Sequence, residues 1–120
     1  IGWVAAEIAK HGGAVICAAI APYEETREAV RQMVEQYGTF LLVHVDASLD
    51  VCEERDVKGL YTKVRKGEIE NFTGVSDPYE PPDSPDCVVH TADESVEEST
   101  RRVMVACVNK LMEQFIEADE

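Results

Sequence analysis

The sequence predicts an α/β fold in three layers, a parallel sheet with helices on both faces, because strand patterns and helix patterns alternate along the chain. Three apolar runs have the length of strands buried on both faces, namely residues 14–20, 40–46 and 87–90. Between the first two runs, apolar residues from position 24 to 37 recur at helical spacing. Ligands bind such sheets beyond the carboxyl ends of the strands, which fall here at residues 20–23, 46–48 and 91–92.

Local signals place the other helices and one long loop. Trp3 and Ile8 lie at helical spacing ahead of Gly12-Gly13, a pair typical of a helix end. Ser48 and Ser95 are predicted N-caps, and Glu98 follows Ser95 at the spacing of a capping box. Further helices are predicted over residues 48–55, 59–66 and 95–117, with Phe115 on the apolar stripe of the last one. The proline-rich stretch 67–86 is predicted to be a long loop, and such loops usually have a function.

Charge and composition exclude several classes of partner. The 120 residues carry 24 acidic and 11 basic side chains, a net charge of −13 that disfavours nucleic acid and anionic membranes. No apolar run approaches the ~20 residues of a membrane span. The cysteines contain no Cys-x-x-Cys pair, so we expect no metal site and reduced thiols in a cytoplasmic protein. Because the first residue is Ile1 rather than Met, the chain is predicted to come from a longer protein.

A series of motifs is more specific than the overall pattern. Residues 45–61 read V-D-A-S-L-D-V-C-E-E-R-D-V-K-G-L-Y, followed by N-F-T-G at 71–74 and P-Y-E at 78–80. Upstream, I-A-P-Y at 20–23 precedes Arg27 and Arg31. In this order and spacing, over almost the entire chain, the motifs resemble the C-terminal portion of the adenylylsulfate (APS) kinase family.

The resemblance implies a fold of the P-loop nucleotide kinase type. It also implies transfer of the ATP γ-phosphoryl group to the 3′-hydroxyl of APS, giving PAPS in sulfate assimilation, with ATP and Mg²⁺ as cofactors of the complete enzyme. Residues 59–86 would form a lid over both nucleotides. The implied ATP-binding residues are Arg55, against the adenine, and Thr91. The implied APS-binding residues are Phe72, stacked on the adenine, Lys58, and the backbone of Ile20 and Ala21.

Simpler interpretations of these residues stay open on the sequence alone. Arg55 could be a solvated helix end, and Lys58 an ordinary surface lysine. Phe72 is harder to dismiss, because an aromatic side chain in a polar loop normally packs against something or binds a ligand. Asp46 ends a strand at the candidate edge and either serves the site or caps the next helix, whereas His90 is expected to be a core or edge residue.

The phosphate-binding half of the family pattern is absent. The sequence contains no Gly-Lys pair, so the motif G-x-x-x-x-G-K-[ST] that surrounds the β- and γ-phosphates is missing. We therefore predict an incomplete domain over residues 1–120 that lacks the first strand and the P-loop, contains no catalytic residue, and is inactive by itself. Ala21 also replaces the serine that is common in the S-P-Y motif of the family.

Loss of the P-loop strand would leave a gap between the strands at 14–20 and 40–46. Either another chain or segment fills that gap, or the two strands pair directly, and the gap favours a homodimer. Two functions remain open, and a third possibility is a fragment that binds no nucleotide because its site is incomplete. The chain is part of an APS kinase, alone or fused to ATP sulfurylase, or it is a non-catalytic APS kinase-like domain that regulates or scaffolds an attached sulfurylase.

Overall fold

The computed structural model describes residues 1–118, which form five helices and two strands. The elements are α1 (Gly2–Lys10), α2 (Glu24–Glu35), β1 (Val43–Asp46), α3 (Leu49–Arg55), α4 (Leu60–Arg65), β2 (Cys87–His90) and α5 (Val96–Ala118). This order confirms the α/β class and every predicted helix. Residues 119–120, the end of the predicted domain, and the side chain of Phe115 lie outside what is described.

The sheet consists of β1 and β2, which run parallel. Val43 lies opposite Cys87 and Asp46 lies opposite His90, so the carboxyl ends of both strands meet at one edge. The crossover between them contains α3, α4 and the loop after α4, while α5 packs on β2. Val89 is 3% exposed and is the most deeply buried apolar side chain in the described part of the molecule.

The segment 14–20 is not a strand, so the prediction of a buried strand there is wrong. All seven residues are exposed, and Ile16 has 98% of its surface accessible to solvent. A strand forms only where a neighbour satisfies its backbone N–H and C=O groups. The neighbour expected in this fold is the P-loop strand, which the sequence lacks. Direct pairing of residues 14–20 with the 40–46 strand, one of the two predicted outcomes, does not occur either.

Strand β1 is shorter than predicted and begins at Val43 instead of residue 40. The Leu42 carbonyl nevertheless accepts hydrogen bonds from the amides of Asp86 (2.9 Å) and Cys87 (3.2 Å), which extend the contact between the two strands. Within the described part of the chain, the backbone of Leu42 is therefore hydrogen-bonded to the residues at the start of β2.

The predicted helix caps are present. The Ser95 hydroxyl accepts from the Glu98 amide at 3.2 Å, and the Glu98 carboxylate accepts from the Ser95 amide at 2.8 Å, which is a reciprocal capping box. The Ser48 hydroxyl accepts from the Val51 amide at 3.4 Å. Helix α2 ends as predicted before Gly38, whose amide donates to the Val34 carbonyl at 3.0 Å.

One side of α5 carries apolar side chains in contact with solvent. The members of this stripe recur three or four residues apart and are each more than half exposed: Val105 at 54%, Val108 at 53%, Met112 at 55% and Ile116 at 62%. We call this set the α5 stripe. None of the helices among residues 1–118 combines the length and apolar character needed to cross a membrane.

Candidate functional site

The carboxyl ends of β1 and β2 form a hydrogen-bonded edge. The Asp46 carbonyl accepts from the Thr91 amide at 3.0 Å and from the Thr91 hydroxyl at 3.2 Å. The Asp46 carboxylate lies 2.9 Å from His90 Nδ1. Asp46 therefore fixes the first residue after β2, and it does not cap α3, because Ser48 does.

Arg55 reaches this edge from the end of α3. The helix starts close after β1 and is only 7 residues long, so the long Arg55 side chain still reaches the strand ends, where Nη2 donates to the Thr91 carbonyl at 2.6 Å. The structure thus brings together the two residues predicted to bind ATP. The Arg55 side chain is otherwise exposed, which leaves its planar guanidinium accessible to an aromatic base.

The turn that carries Lys58 is fixed by Asp56. The Asp56 carboxylate accepts from the amides of Tyr61 and Thr62, both at 3.0 Å, and from the Thr62 hydroxyl at 2.7 Å. The Thr62 hydroxyl is the main cause of a lowered Asp56 pKa, and the amides act in the same direction. Asp56 therefore ties the start of α4 to the end of α3, with Lys58 exposed in the turn between them.

Phe72 lies in a compact turn over residues 72–77, within the predicted lid. Its amide donates to the Ser76 hydroxyl at 2.7 Å, and its carbonyl accepts from the Ser76 amide at 3.0 Å. The Phe72 ring meets the Tyr61 ring edge-on, with centroids 5.0 Å apart and planes inclined by 73°. Because Tyr61 belongs to α4, a continuous set of contacts links Phe72 through Asp56 to the end of α3, next to Arg55.

Ile20 and Ala21 lie apart from that set. Ile20 is 67% exposed, and no hydrogen bond in the described part of the chain joins either residue to the other four predicted site residues. Ala21 has φ of +43°, which is unusual for a residue with a Cβ. Its carbonyl accepts from Arg27 Nη1 at 2.6 Å.

Sequence reasoning missed an ion cluster at the opposite ends of the strands. The Asp86 carboxylate accepts from the Leu42 amide at 2.7 Å, from Lys110 at 2.9 Å and from Arg31 at 3.1 Å. Burial by itself raises the pKa of Asp86, but the Leu42 amide and the two cations outweigh it, so the pKa is lowered. The cluster borders a pocket of about 260 Å³ that lies away from the candidate edge.

The residues of this chain do not fit the phosphate and Mg²⁺ part of an ATP site. The sequence has no Gly-Lys pair. Among residues 1–118, no group of three His, Cys, Asp or Glu side chains is arranged to hold a metal ion. The groups at the candidate edge are the Arg55 guanidinium, the Asp46 carboxylate beside His90, the Thr91 hydroxyl and backbone carbonyls, a set without the backbone amides and lysine that surround a triphosphate in a P-loop.

A parallel α/β unit with its candidate ligand groups beyond the carboxyl ends of the strands is typical of doubly wound α/β folds, the class to which P-loop nucleotide kinases belong. A profile of the family described as Adenylylsulphate kinase matches residues 1–90, and the chain belongs to that family. This confirms the resemblance recognised in the motifs.

Individual relatives support the assignment. The chain is 53% identical over 104 residues to an adenylyl-sulfate kinase of Synechococcus sp., covering 87% of this chain and 57% of that protein. It is 47% identical over 116 residues to a sulfate adenylyltransferase of Neurospora crassa, covering 96% of this chain and 20% of that protein. The structure of the Mycobacterium tuberculosis APS kinase in complex with AMPPNP and APS matches with a TM-score of 0.79 at 37% identity, covering 88% of this chain and 61% of that one. The chain thus spans less than two thirds of each of these proteins.

Proposed function

We propose that this chain is the C-terminal part of a cytoplasmic APS kinase domain, which phosphorylates APS with ATP to give PAPS in sulfate assimilation. The contact between Arg55 Nη2 and the Thr91 carbonyl carries the proposal, because it joins the two residues assigned to ATP at the carboxyl edge of the sheet. Arg55 stacks its guanidinium on the adenine of ATP, and Thr91 borders the same base.

APS binds next to the lid, residues 59–86. Phe72 is half-buried and in edge-to-face contact with Tyr61, so the ring is held in place with part of its surface free to stack on the adenine of APS. Lys58 is exposed in a turn fixed by Asp56 and supplies a positive charge to the anionic substrate. Backbone groups of Ile20 and Ala21 contact the phosphosulfate end.

The chain by itself does not transfer the phosphoryl group. Transfer needs a lysine and backbone amides around the transferred phosphate and a hydroxyl for Mg²⁺, and the sequence lacks the motif that supplies them. The exposed segment 14–20 and the α5 stripe support an incomplete domain, because apolar surface of this kind is normally covered. The remaining part of a kinase domain, or a second copy in a homodimer, covers it.

A second candidate is a non-catalytic domain that binds APS or PAPS and regulates an attached ATP sulfurylase. One observation favours it, namely that a stretch similar to almost the whole chain lies within much longer fungal sulfate adenylyltransferases. The coding sequence upstream of Ile1 discriminates between the two functions. An intact G-x-x-x-x-G-K-[ST] motif there supports catalysis, and a degenerate one supports regulation.

Calorimetric titration of the chain with APS tests the site. Phe72→Ala should weaken APS binding by about tenfold or more, the usual effect of losing one stacked aromatic side chain. Phe40→Ala is the matched control, because the Phe40 ring lies against Arg31 on α2 and not in the lid. Equal APS affinity for the unmodified chain and Phe72→Ala overturns the assignment.

Activity is tested in a chimera that joins this chain to the part of the Synechococcus adenylyl-sulfate kinase that it does not match. The chimera should form PAPS from APS and ATP, and the chain alone should not. PAPS formation by the chain alone contradicts its proposed inactivity, and an inactive but folded chimera favours the regulatory function.

A further inference from the structure

Arg27 is the only charged residue buried in the described part of the chain, with 6% of its surface exposed. It lies seven residues before Val34, which is 7% exposed, and therefore on the buried side of α2. A buried guanidinium is stable only if its donors are satisfied, so the partners of Arg27 identify what it does.

Its partners lie on two segments that are distant in sequence. Nη1 donates to the Ala21 carbonyl at 2.6 Å, and Nη2 donates to the Glu80 carbonyl at 2.7 Å. Nε donates to the Glu24 carboxylate at 2.9 Å, which orients the guanidinium plane. The Tyr79 ring covers the group, with its centroid 6.0 Å from Cζ. One side chain therefore joins the start of α2 to the end of the lid.

The two segments also bond to each other directly. The Glu80 amide donates to the Pro22 carbonyl at 2.8 Å, and the Glu24 amide donates to the Glu80 carboxylate at 2.7 Å. These two hydrogen bonds join residues 21–24 to residues 79–80, and the Arg27 side chain connects the same two segments through its own hydrogen bonds. We call this arrangement the Arg27 clamp.

The clamp explains the backbone of Ala21. A residue with a Cβ adopts positive φ only where surrounding contacts impose it, and the Ala21 carbonyl is held by Arg27. Ile20, directly before it, has no strand to fix its backbone. The orientation of the residue 20–21 peptide thus depends on a contact from α2 and not on the sheet.

We propose that Arg27 is a positioning residue for the APS side of the site. By holding the Ala21 carbonyl and the Glu80 carbonyl at once, it sets the backbone of residues 20–21 relative to the lid that carries Phe72. The proposal rests on the proposed function for the identity of the ligand. The guanidinium itself does not touch the substrate, because its donors are directed at protein oxygens and its surface is covered.

Hydrogen exchange in the unliganded chain tests the clamp without any nucleotide. In Arg27→Gln, the amides of Glu24 and Glu80 should both lose protection, while the amides of β2 keep theirs. Arg27→Lys should give an intermediate loss, because a single ammonium cannot span both carbonyls as the planar guanidinium does. If the Gln variant fails to fold, the Lys variant still reports on both amides.

Arg31→Gln is the matched control, since Arg31 lies one turn further along α2 and pairs with Asp86 instead. It should lower thermal stability without affecting the amides of Glu24 and Glu80. Unchanged protection of these two amides in Arg27→Gln, or equal loss in Arg31→Gln, overturns the clamp.

Nucleotide titrations test what the clamp serves. Arg27→Gln should weaken APS binding by roughly tenfold, because the backbone of residues 20–21 is no longer held relative to the lid, and should leave the affinity for ATP within about twofold. Equal weakening for both nucleotides indicates general destabilisation and overturns the positioning role. If the unmodified chain binds no APS, the assignment of an APS site to this chain is overturned together with that role, whereas the proposed kinase function is still decided by the chimera, and the exchange data decide whether the clamp exists.

Discussion

Two apolar regions of this chain look alike in sequence and differ in structure. Residues 87–90 form a strand in which Val89 is 3% exposed, whereas residues 14–20, an equally apolar run, form no strand and leave Ile16 98% exposed. The difference lies in the neighbours. Strand β2 pairs with β1 and is covered by α5, and no described segment pairs with residues 14–20. Apolar character predicts where a chain can be buried, but a partner decides whether burial occurs.

The largest stability effect should come from breaking the ion cluster that holds the well-formed region together. Asp86, with its side chain 14% exposed, joins the backbone before β1 to α2 and α5. Asp86→Asn should cost about 3 kcal/mol of unfolding free energy, because it leaves Arg31 and Lys110 without their shared counter-ion. Urea unfolding measures this. Asp83→Asn, three residues earlier and exposed, should change stability by less than about 0.5 kcal/mol.

The same residue predicts how stability depends on pH. The Asp86 pKa is lowered in the folded chain from an ordinary value of 3.8, so its contribution is present above that value and is lost as pH falls toward the folded pKa. Unfolding free energies measured between pH 6 and 2 should therefore fall more steeply for the unmodified chain than for Asp86→Asn. If both proteins lose the same unfolding free energy over this pH range, the ion pairs of Asp86 do not contribute to stability.

A pair of valines sharpens the comparison within the sheet. Val45 and Val89 are register partners, yet Val45 is 64% exposed and Val89 is 3% exposed. Val89→Ala should cost about 2 kcal/mol, and Val45→Ala less than about 0.5 kcal/mol. In the chimera with the Synechococcus segment, Val45→Ala should become as costly as Val89→Ala. A small cost for Val45→Ala in a folded, active chimera would mean that nothing covers that side of β1.

The smallest effects concern the helix caps. Ser95→Ala should lower stability by about 1 kcal/mol, because the Ser95 hydroxyl caps α5 within a reciprocal capping box. Ser48→Ala should cost about half as much, since its single hydrogen bond to the Val51 amide is long, at 3.4 Å. Thermal unfolding followed by circular dichroism measures both. A larger loss of stability for Ser48→Ala than for Ser95→Ala would show that the capping box does not stabilise α5.

The sequence predicted the parts of the molecule that local patterns determine. Helices, caps and β2 follow from spacing within a few residues, and the two residues that the family motifs assign to ATP, Arg55 and Thr91, lie in contact. The Asp86 cluster could not be predicted, because its partners Leu42 and Lys110 lie 44 and 24 residues away and carry no local signal. The contact between Arg27 and the Glu80 carbonyl could not be predicted for the same reason, since the two residues are 53 positions apart.

A different reason explains the wrong prediction of a strand at residues 14–20. The composition of this apolar run favours a strand, although the same sequence lacks the strand that is needed beside it. The absence of that strand outweighs propensity, because unpaired backbone groups in an apolar sheet are costly.

Amide hydrogen exchange of residues 14–20 tests most directly whether this chain is an incomplete kinase domain. In the chain alone, these amides should exchange at close to unprotected rates, and in the chimera they should gain protection of about a hundredfold or more as the strand pairs. Strong protection in the chain alone, or none in a chimera that makes PAPS, would contradict the account.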